Sequence, residues 1–426
     1  MEQIKLHINR LGIIRNADII ITPMMVFSGE SGLGKSYLAI LCHYFFYVLL
    51  NDKRFDSFFK EILETRGINF NNISGSIPDN GIALTITKDE LHNWLAKDAI
   101  SYLSYMLGHE GMTADITVTL PDVIPEKISF AYEKELTGIE NSEELYYKLK
   151  VLNISYRFKE IGIQEEIPYA FTFRYGVINE LFGNFRNLDY NYVLPPSRGS
   201  YLSEEITPKT GLYRSFVLGM KELEQVQELP NVVNENLVAL LKNVMEGEVK
   251  KSGDNYVYIT HGETIPASAA ASSVREIGPL QMMVTKRDIS KVSVLIEEPE
   301  AHLHPLKQRM MADIIATMAS GGANMQITTH SDSFLFRLND FIRMNILKKH
   351  MDAEAYLNFC EEHDFIPELT LDPSILSTYF LERDENGYVT VKLQNSTNGI
   401  PFDTFEKING KPMADSSMLY DLTADL

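Results

Sequence analysis

Gly29-Glu30-Ser31-Gly32-Leu33-Gly34-Lys35-Ser36 decides the fold of this chain. By residue type and spacing it is a complete phosphate-binding loop. The apolar stretch from Ile19 to Phe27 before it reads as a strand, and the run from Tyr37 to Leu50 after it reads as a buried helix. Between a strand and a helix, such a loop turns its backbone N–H groups toward phosphates. The lysine then reaches the β/γ-phosphates and the final hydroxyl binds Mg²⁺. The alternative, a glycine-rich turn matching by chance, leaves the flanking strand and helix unexplained.

A second half of the site is expected far downstream. Lys291-Val-Ser-Val-Leu-Ile296 has the continuous apolar character of a central parallel strand. It ends in Glu297-Glu298-Pro299-Glu300, then Ala301-His302-Leu303-His304-Pro305. Ligands of open α/β sheets bind at the carboxyl ends of the strands. Glu297 is therefore placed to hold the metal shell and Glu298 to polarise a water. Read alone, the same acids would be a solvated turn. Asn324 to Thr329 reads as another short strand, ending in His330-Ser331-Asp332, where a histidine could meet the γ-phosphate.

In this order the motifs resemble those of an ABC-type ATPase head, in the branch related to the OLD, RecF and SMC proteins. The opening Ile4–Ile19 is similar to that branch's two N-terminal strands. Glu298-Pro-Glu-Ala-His-Leu-His-Pro305 is similar to its extended Walker B phrase, and Thr329-His330-Ser331 to its switch motif. The resemblance implies an α/β P-loop head with a mostly parallel RecA-like core, an antiparallel β subdomain and ATP with Mg²⁺ as ligands. It assigns Gly29 to Tyr37 to the nucleotide, Ser36 and Glu297 to the metal, Glu298 to the catalytic carboxylate and His330 to the γ-phosphate switch. It also places a signature motif just upstream of Walker B. There Pro266 to Leu280 offers small residues before a helix start, with Ser272 and Ser273 aimed outward at the ATP of an opposing subunit. A flexible Ala/Ser linker ahead of a capped helix is the plainer account. Three departures stand out: Glu297 replaces the common Asp, the first glutamine after Ser36 is Gln164, and the signature lacks its glycines. Slow or regulated turnover is the expectation.

The chain has 426 residues, 45 % of them hydrophobic, and a formal net charge of −19. That charge disfavours tight nonspecific binding of nucleic acid, whose affinity comes from neutralising phosphates. A basic partner or plain solubility would each account for it. Two cysteines, Cys42 and Cys360, suit a reducing compartment. The longest apolar run, Tyr37 to Leu50, is short for a bilayer. The expectation is a cytoplasmic protein without a membrane contact.

Along the chain the reading gives an N-terminal lobe over 1–75, an antiparallel and helical insertion over 76–260, and a C-terminal lobe over 261–426. Helices are expected from Asp56 to Thr65, from about Thr87 to Leu103 or Met106, over Tyr213–Val226, over Val232–Met245 and over Ser333–Lys349. Strands are expected at 116–120, 127–132, 147–156 and 191–194, and a loop over Asn71–Asn80. Gly253 to Gly262 reads as a strand and turn, and Thr378–Leu381 with Tyr388–Leu393 as a hairpin. No sustained heptads predict a long coiled coil. Arg198, after Pro195-Pro196, would sense nucleotide, meet a partner or close a turn. The basic Lys348-Lys349-His350 suits a helix C-terminus better than a DNA patch.

The tail is too short for the nuclease domain of OLD proteins, so the chain is not expected to cut nucleic acid. The resemblance extends to ATPase components of anti-phage systems such as Septu and PARIS. It implies a homodimer or higher homo-oligomer that controls a separate effector, commonly a nuclease. A RecF-like repair or replication ATPase with ATP-dependent DNA binding is the alternative.

Overall fold

The computed structural model describes residues 3–67, 82–139, 142–152, 154–159, 176–177, 188–230, 233–363, 365–394, 397 and 399–401. Gln164 and the expected loop at Asn71–Asn80 lie outside them. Two antiparallel strands open the chain, β1 (Lys5–Leu11) and β2 (Ile14–Ile20). In β1, buried Leu6 and Ile8 alternate with exposed Lys5 and His7, the period that lays one face on a core. β3 (Met24–Gly29) follows, then the phosphate loop and α1 (Lys35–Leu50). The strand expected from Ile19 to Phe27 is thus two strands. Pro23 lies between them and has no N–H for a ladder.

Next come α2 (Asp52–Thr65), β4 (Ile82–Thr87) and α3 (Lys88–Leu107). Thr87 and Glu90 form a reciprocal capping box at the start of α3, and Gly108 at φ 64° ends it. β5 (Ala114–Thr119) returns to pair with β1. β6 (Lys127–Ile139), β7 (Ser142–Val151) and β8 (Ile154–Lys159) join β4 in a separate sheet, ordered β4-β6-β7-β8. The run expected as one strand over 147–156 is a hairpin turning at Leu152, whose φ is 51°.

After β9 (Tyr190–Leu194) and a 3-10 turn at Arg198–Leu202 come α4 (Gly211–Glu224) and α5 (Glu235–Met245). The single strand expected near 253–262 is a three-stranded sheet: β10 (Glu248–Ser252), β11 (Asn255–Thr260) and β12 (Glu263–Pro266). Then follow α6 (Ser272–Lys286), β13 (Val292–Glu297), α7 (Pro305–Ser320), β14 (Asn324–Thr329), α8 (Asp332–His350) and α9 (Ala353–Glu362). The hairpin β15 (Leu376–Arg383) and β16 (Val389–Gln394) ends the order.

Nine strands form one mixed sheet in the order β5-β1-β2-β16-β15-β3-β14-β13-β9. From β15 to β9 the neighbours run parallel, while β1 is antiparallel to both of its neighbours, β5 and β2. The terminal hairpin welds the two halves, β15 to β3 and β16 to β2. β3 shows why both faces are covered: Met25 and Phe27 point into the core under α1, α2 and α3, while Met24 and Val26 point into the core under α4 to α8. A parallel strand buried on both faces reads as a continuous apolar run, as β3 and β13 do. This is an α/β fold with a phosphate-binding loop at the end of the central parallel strand β3. Its longest described helix, α3, has 20 residues, so the described residues form no long coiled coil. At the end of α8, Lys349 pairs with Asp372 at 2.8 Å and Lys348 reaches the Pro367 carbonyl, which fits the helix-terminus reading of that basic turn.

Candidate functional site

Three parallel neighbours, β3, β14 and β13, end side by side, and each hands its next residues to one cleft. The cleft has a volume of about 510 Å³ and is lined by the turn Leu11–Ile14, by Ser31, Gly32 and the stretch 34–37, and by Glu298, Thr328 and His330. Two loop glycines are required by geometry. Gly29 sits at φ 134°, where a Cβ would fall 2.4 Å from the Leu381 carbonyl oxygen. Gly34, at φ 93°, starts α1 with Ile14 against it. Leu33 is buried and anchors the loop in the core, whereas Glu30 and Ser31 are exposed.

Lys35 donates from Nζ to the carbonyls of Gly29 at 2.9 Å and Glu30 at 2.8 Å, and lies 3.4 Å from His330 Nδ1. Burial lowers its pKa to about 8, against the pull of Glu298, Glu300, Glu297 and Glu30. Ser36 Oγ donates to Glu297 Oε2 at 2.7 Å. The other carboxylate oxygen, Oε1, is buried without a hydrogen bond. A hydroxyl beside a carboxylate with a spare oxygen is a hard-oxygen donor pair, the chemistry Mg²⁺ takes when phosphates and water complete its shell. Burial raises the pKa of Glu297, while Ser36 opposes the shift.

Glu298 stands just past the strand end with φ 46°, its N–H bonded to the Thr328 carbonyl at 3.0 Å. A non-glycine residue in the left-handed region carries strain of order 1 kcal/mol. The turn aims its carboxylate outward, 3.5 Å from His330 Nε2. Burial and the Lys35 charge lower the His330 pKa, so a neutral imidazole faces the cleft near pH 7. The sequence-predicted residues Lys35, Ser36, Glu297, Glu298 and His330 are thus brought together. Ser272 and Ser273 are not among them. They open α6 away from this cleft, with Ser272 exposed and Ala271 giving no side-chain cap.

Sequence reasoning gave no role to Glu300, yet it ties two of the motifs. Its Oε1 accepts from Thr329 Oγ1 at 2.6 Å and from the His330 N–H at 2.9 Å. Burial raises its pKa. The turn at Gly12–Ile14 was equally unforeseen, because a two-residue link between strands carries no chemical signature. Arg198 does not line the cleft. It is buried and bonded to carbonyls, including those of Glu297 and Glu298.

The profile of the AAA ATPase domain matches residues 218–335, which hold β13, β14, Glu297, Glu298 and His330. No curated protein matches the chain. Solved structures similar to it include an SMC head bound to the C-winged helix domain of ScpA, 10 % identical over 92 % of this chain and 97 % of that one, with a TM-score of 0.38. The SMC head domain from Thermotoga maritima is 9 % identical over 92 % and 99 %, with a TM-score of 0.33. A Pyrococcus furiosus Smc head with an extended coiled coil, bound to the C-terminal domain of ScpA, is 10 % identical over 97 % and 100 %, with a TM-score of 0.36. No described helix is long and apolar enough to cross a membrane. The match to the AAA ATPase domain covers the partner motif and supports ATPase activity, and the phosphate-binding loop lies beside that motif at the ends of a parallel sheet.

Proposed function

We propose that the chain is an ATP-driven switch in which two or more copies close on nucleotide and control a separate effector, a nuclease in anti-phage defence. The observation that carries the ATP site is the meeting of Lys35, the Ser36–Glu297 pair, Glu298 and His330 at one cleft. Lys35 holds the γ-phosphate, and the loop's N–H groups and the start of α1 hold its neighbours. Ser36 and Glu297 hold Mg²⁺, which when bound neutralises charge on the β/γ-phosphates. Glu298 orients the attacking water, and neutral His330 senses the γ-phosphate from beside Lys35.

In this reading the exposed Ser272 and the half-buried Ser273 at the start of α6 meet the triphosphate of the opposing copy. ATP then favours the closed assembly and hydrolysis releases it. The acidic balance of −19 favours a protein effector over DNA as the thing controlled.

The test compares wild type, Lys35→Ala and Glu298→Gln by ATP–Mg²⁺ binding, turnover and mass in solution, with and without DNA. Lys35→Ala should lose binding. Glu298→Gln should bind ATP, turn over about 100-fold more slowly and stay assembled. Normal ATP binding by Lys35→Ala would sink the site. An assembly that forms only with DNA would replace the effector reading with a repair-type one.

A further inference from the structure

Arg198 is 2 % exposed, and its guanidinium is given over to backbone oxygens. Nη1 donates to the Glu297 carbonyl at 2.7 Å and to that of Pro195 at 3.3 Å. Nη2 reaches the Glu298 carbonyl at 3.3 Å, and Nε reaches the Glu276 carbonyl at 2.9 Å. Glu276 also sets a carboxylate oxygen 3.8 Å from Nε and is itself buried. One side chain therefore holds the strained turn that carries Glu298 and the second turn of α6, whose first residue is Ser272.

The packing around it is equally close. A Cβ on Gly199 would lie 2.9 Å from the backbone carbon and the Cβ of Arg275, and 3.0 Å from the Glu276 nitrogen. One on Gly278 would lie 2.4 Å from Leu202. Pro279 within α6 has no N–H to give the Arg275 carbonyl four residues back, and Arg198 donates to the next carbonyl, that of Glu276.

We propose that Arg198 is a positioning residue that couples the exposed start of α6 to the Glu298 turn, so that engagement of the Ser272 end by another copy sets the catalytic carboxylate. The coupling rests on the reading of Glu298 and Ser272 given above. Charge alone does not explain the residue. A lysine would keep the positive charge but lacks the planar fork that bonds three elements at once. The direction of the coupling follows from these bonds: a displacement of α6 that reaches Glu276 pulls on the Arg198 fork, which also holds the carbonyls of Glu297 and Glu298.

The experiment measures kcat and KM for ATP, melting temperature, and ATP–Mg²⁺-dependent amide hydrogen exchange for wild type, Arg198→Lys and Gly199→Ala. Gly199→Ala leaves Arg198 in place and pushes its turn off α6. Both variants should lose about tenfold in kcat with KM within about threefold of wild type, while exchange over 29–37 is still slowed by ATP. Unchanged kcat in both variants overturns the coupling. So does a loss of ATP affinity in step with a lowered melting temperature, which would make Arg198 a fold residue alone. If Arg198→Lys does not fold, Gly199→Ala decides by the same readings. Wild type that binds ATP without turning it over overturns the coupling and leaves the nucleotide site standing. Wild type whose 29–37 exchange ignores ATP overturns both.

Discussion

Lys35 is buried, and its pKa is lowered to about 8, so its charge is lost within a range where the protein can be handled. Only the charged amine holds phosphate well. ATP affinity should therefore weaken as pH rises through 8, by about tenfold between pH 7 and pH 9 for a single required proton. Isothermal titration with a non-hydrolysable ATP analogue would check it, and a flat profile would remove Lys35 from the phosphate. Glu300 makes the opposite kind of prediction. Burial raises its pKa in the fold, so ionising it costs stability at neutral pH, and that cost vanishes once pH falls below the ordinary carboxylate range. Glu300→Gln keeps an oxygen for Thr329 and His330. It should raise the melting temperature at pH 7.5, with the gain shrinking on acidification. Its turnover should fall, because the His330 backbone then hangs on a weaker acceptor. Lys35 and Glu298 were legible because their roles follow from neighbours in sequence. Arg198 and Glu300 were not, since their partners are backbone atoms and a hydroxyl brought from elsewhere in the chain by folding.

At the level of elements, the parallel strands were the easiest to read. β14 covers Asn324–Thr329 as expected, and β13 is displaced by a single residue. A strand buried on both faces and bounded by polar residues leaves little choice of ends. The sheet β4-β6-β7-β8 was harder: β4 was missed, and β7 with β8 was read as one strand, because alternation continues across a turn that Leu152 makes by adopting a positive φ. The hairpin β15–β16 was read correctly as a hairpin, but nothing local announces that β15 inserts beside β3. Tyr379 reports on that insertion. Its ring stacks on Phe27 at 5.4 Å, and its hydroxyl oxygen accepts from the Ile20 N–H at 2.7 Å, joining β15 to both β3 and β2. Tyr379→Phe should cost about 1 kcal/mol, roughly 2 °C in melting temperature, with the KM for ATP unchanged within about twofold. A larger shift in KM than in stability would mean that the hairpin shapes the nucleotide cleft directly.

At the scale of the whole molecule, the order of motifs along the chain gave the architecture away before any strand was paired. A phosphate loop near the start and a carboxylate strand far downstream can meet only if their strands are neighbours in one sheet. The strand between them in space, β14, then places His330. What the order left open is how copies meet. Each carries a net charge of −19, so two copies that close on ATP do so against their own repulsion. Salt screens that repulsion, the Debye length being about 10 Å at 0.1 M. ATP-driven assembly of Glu298→Gln should therefore tighten between about 50 and 200 mM NaCl. DNA binding that depends on phosphate contacts would weaken steeply over the same range. Sedimentation of the variant with ATP–Mg²⁺ across that series, with and without a short duplex, separates the two. Assembly that strengthens with salt and ignores the duplex fits a head that closes on itself to control a protein. Assembly that needs the duplex and dissolves with salt would mean that a basic groove forms between copies, and the net charge would then mislead about the partner.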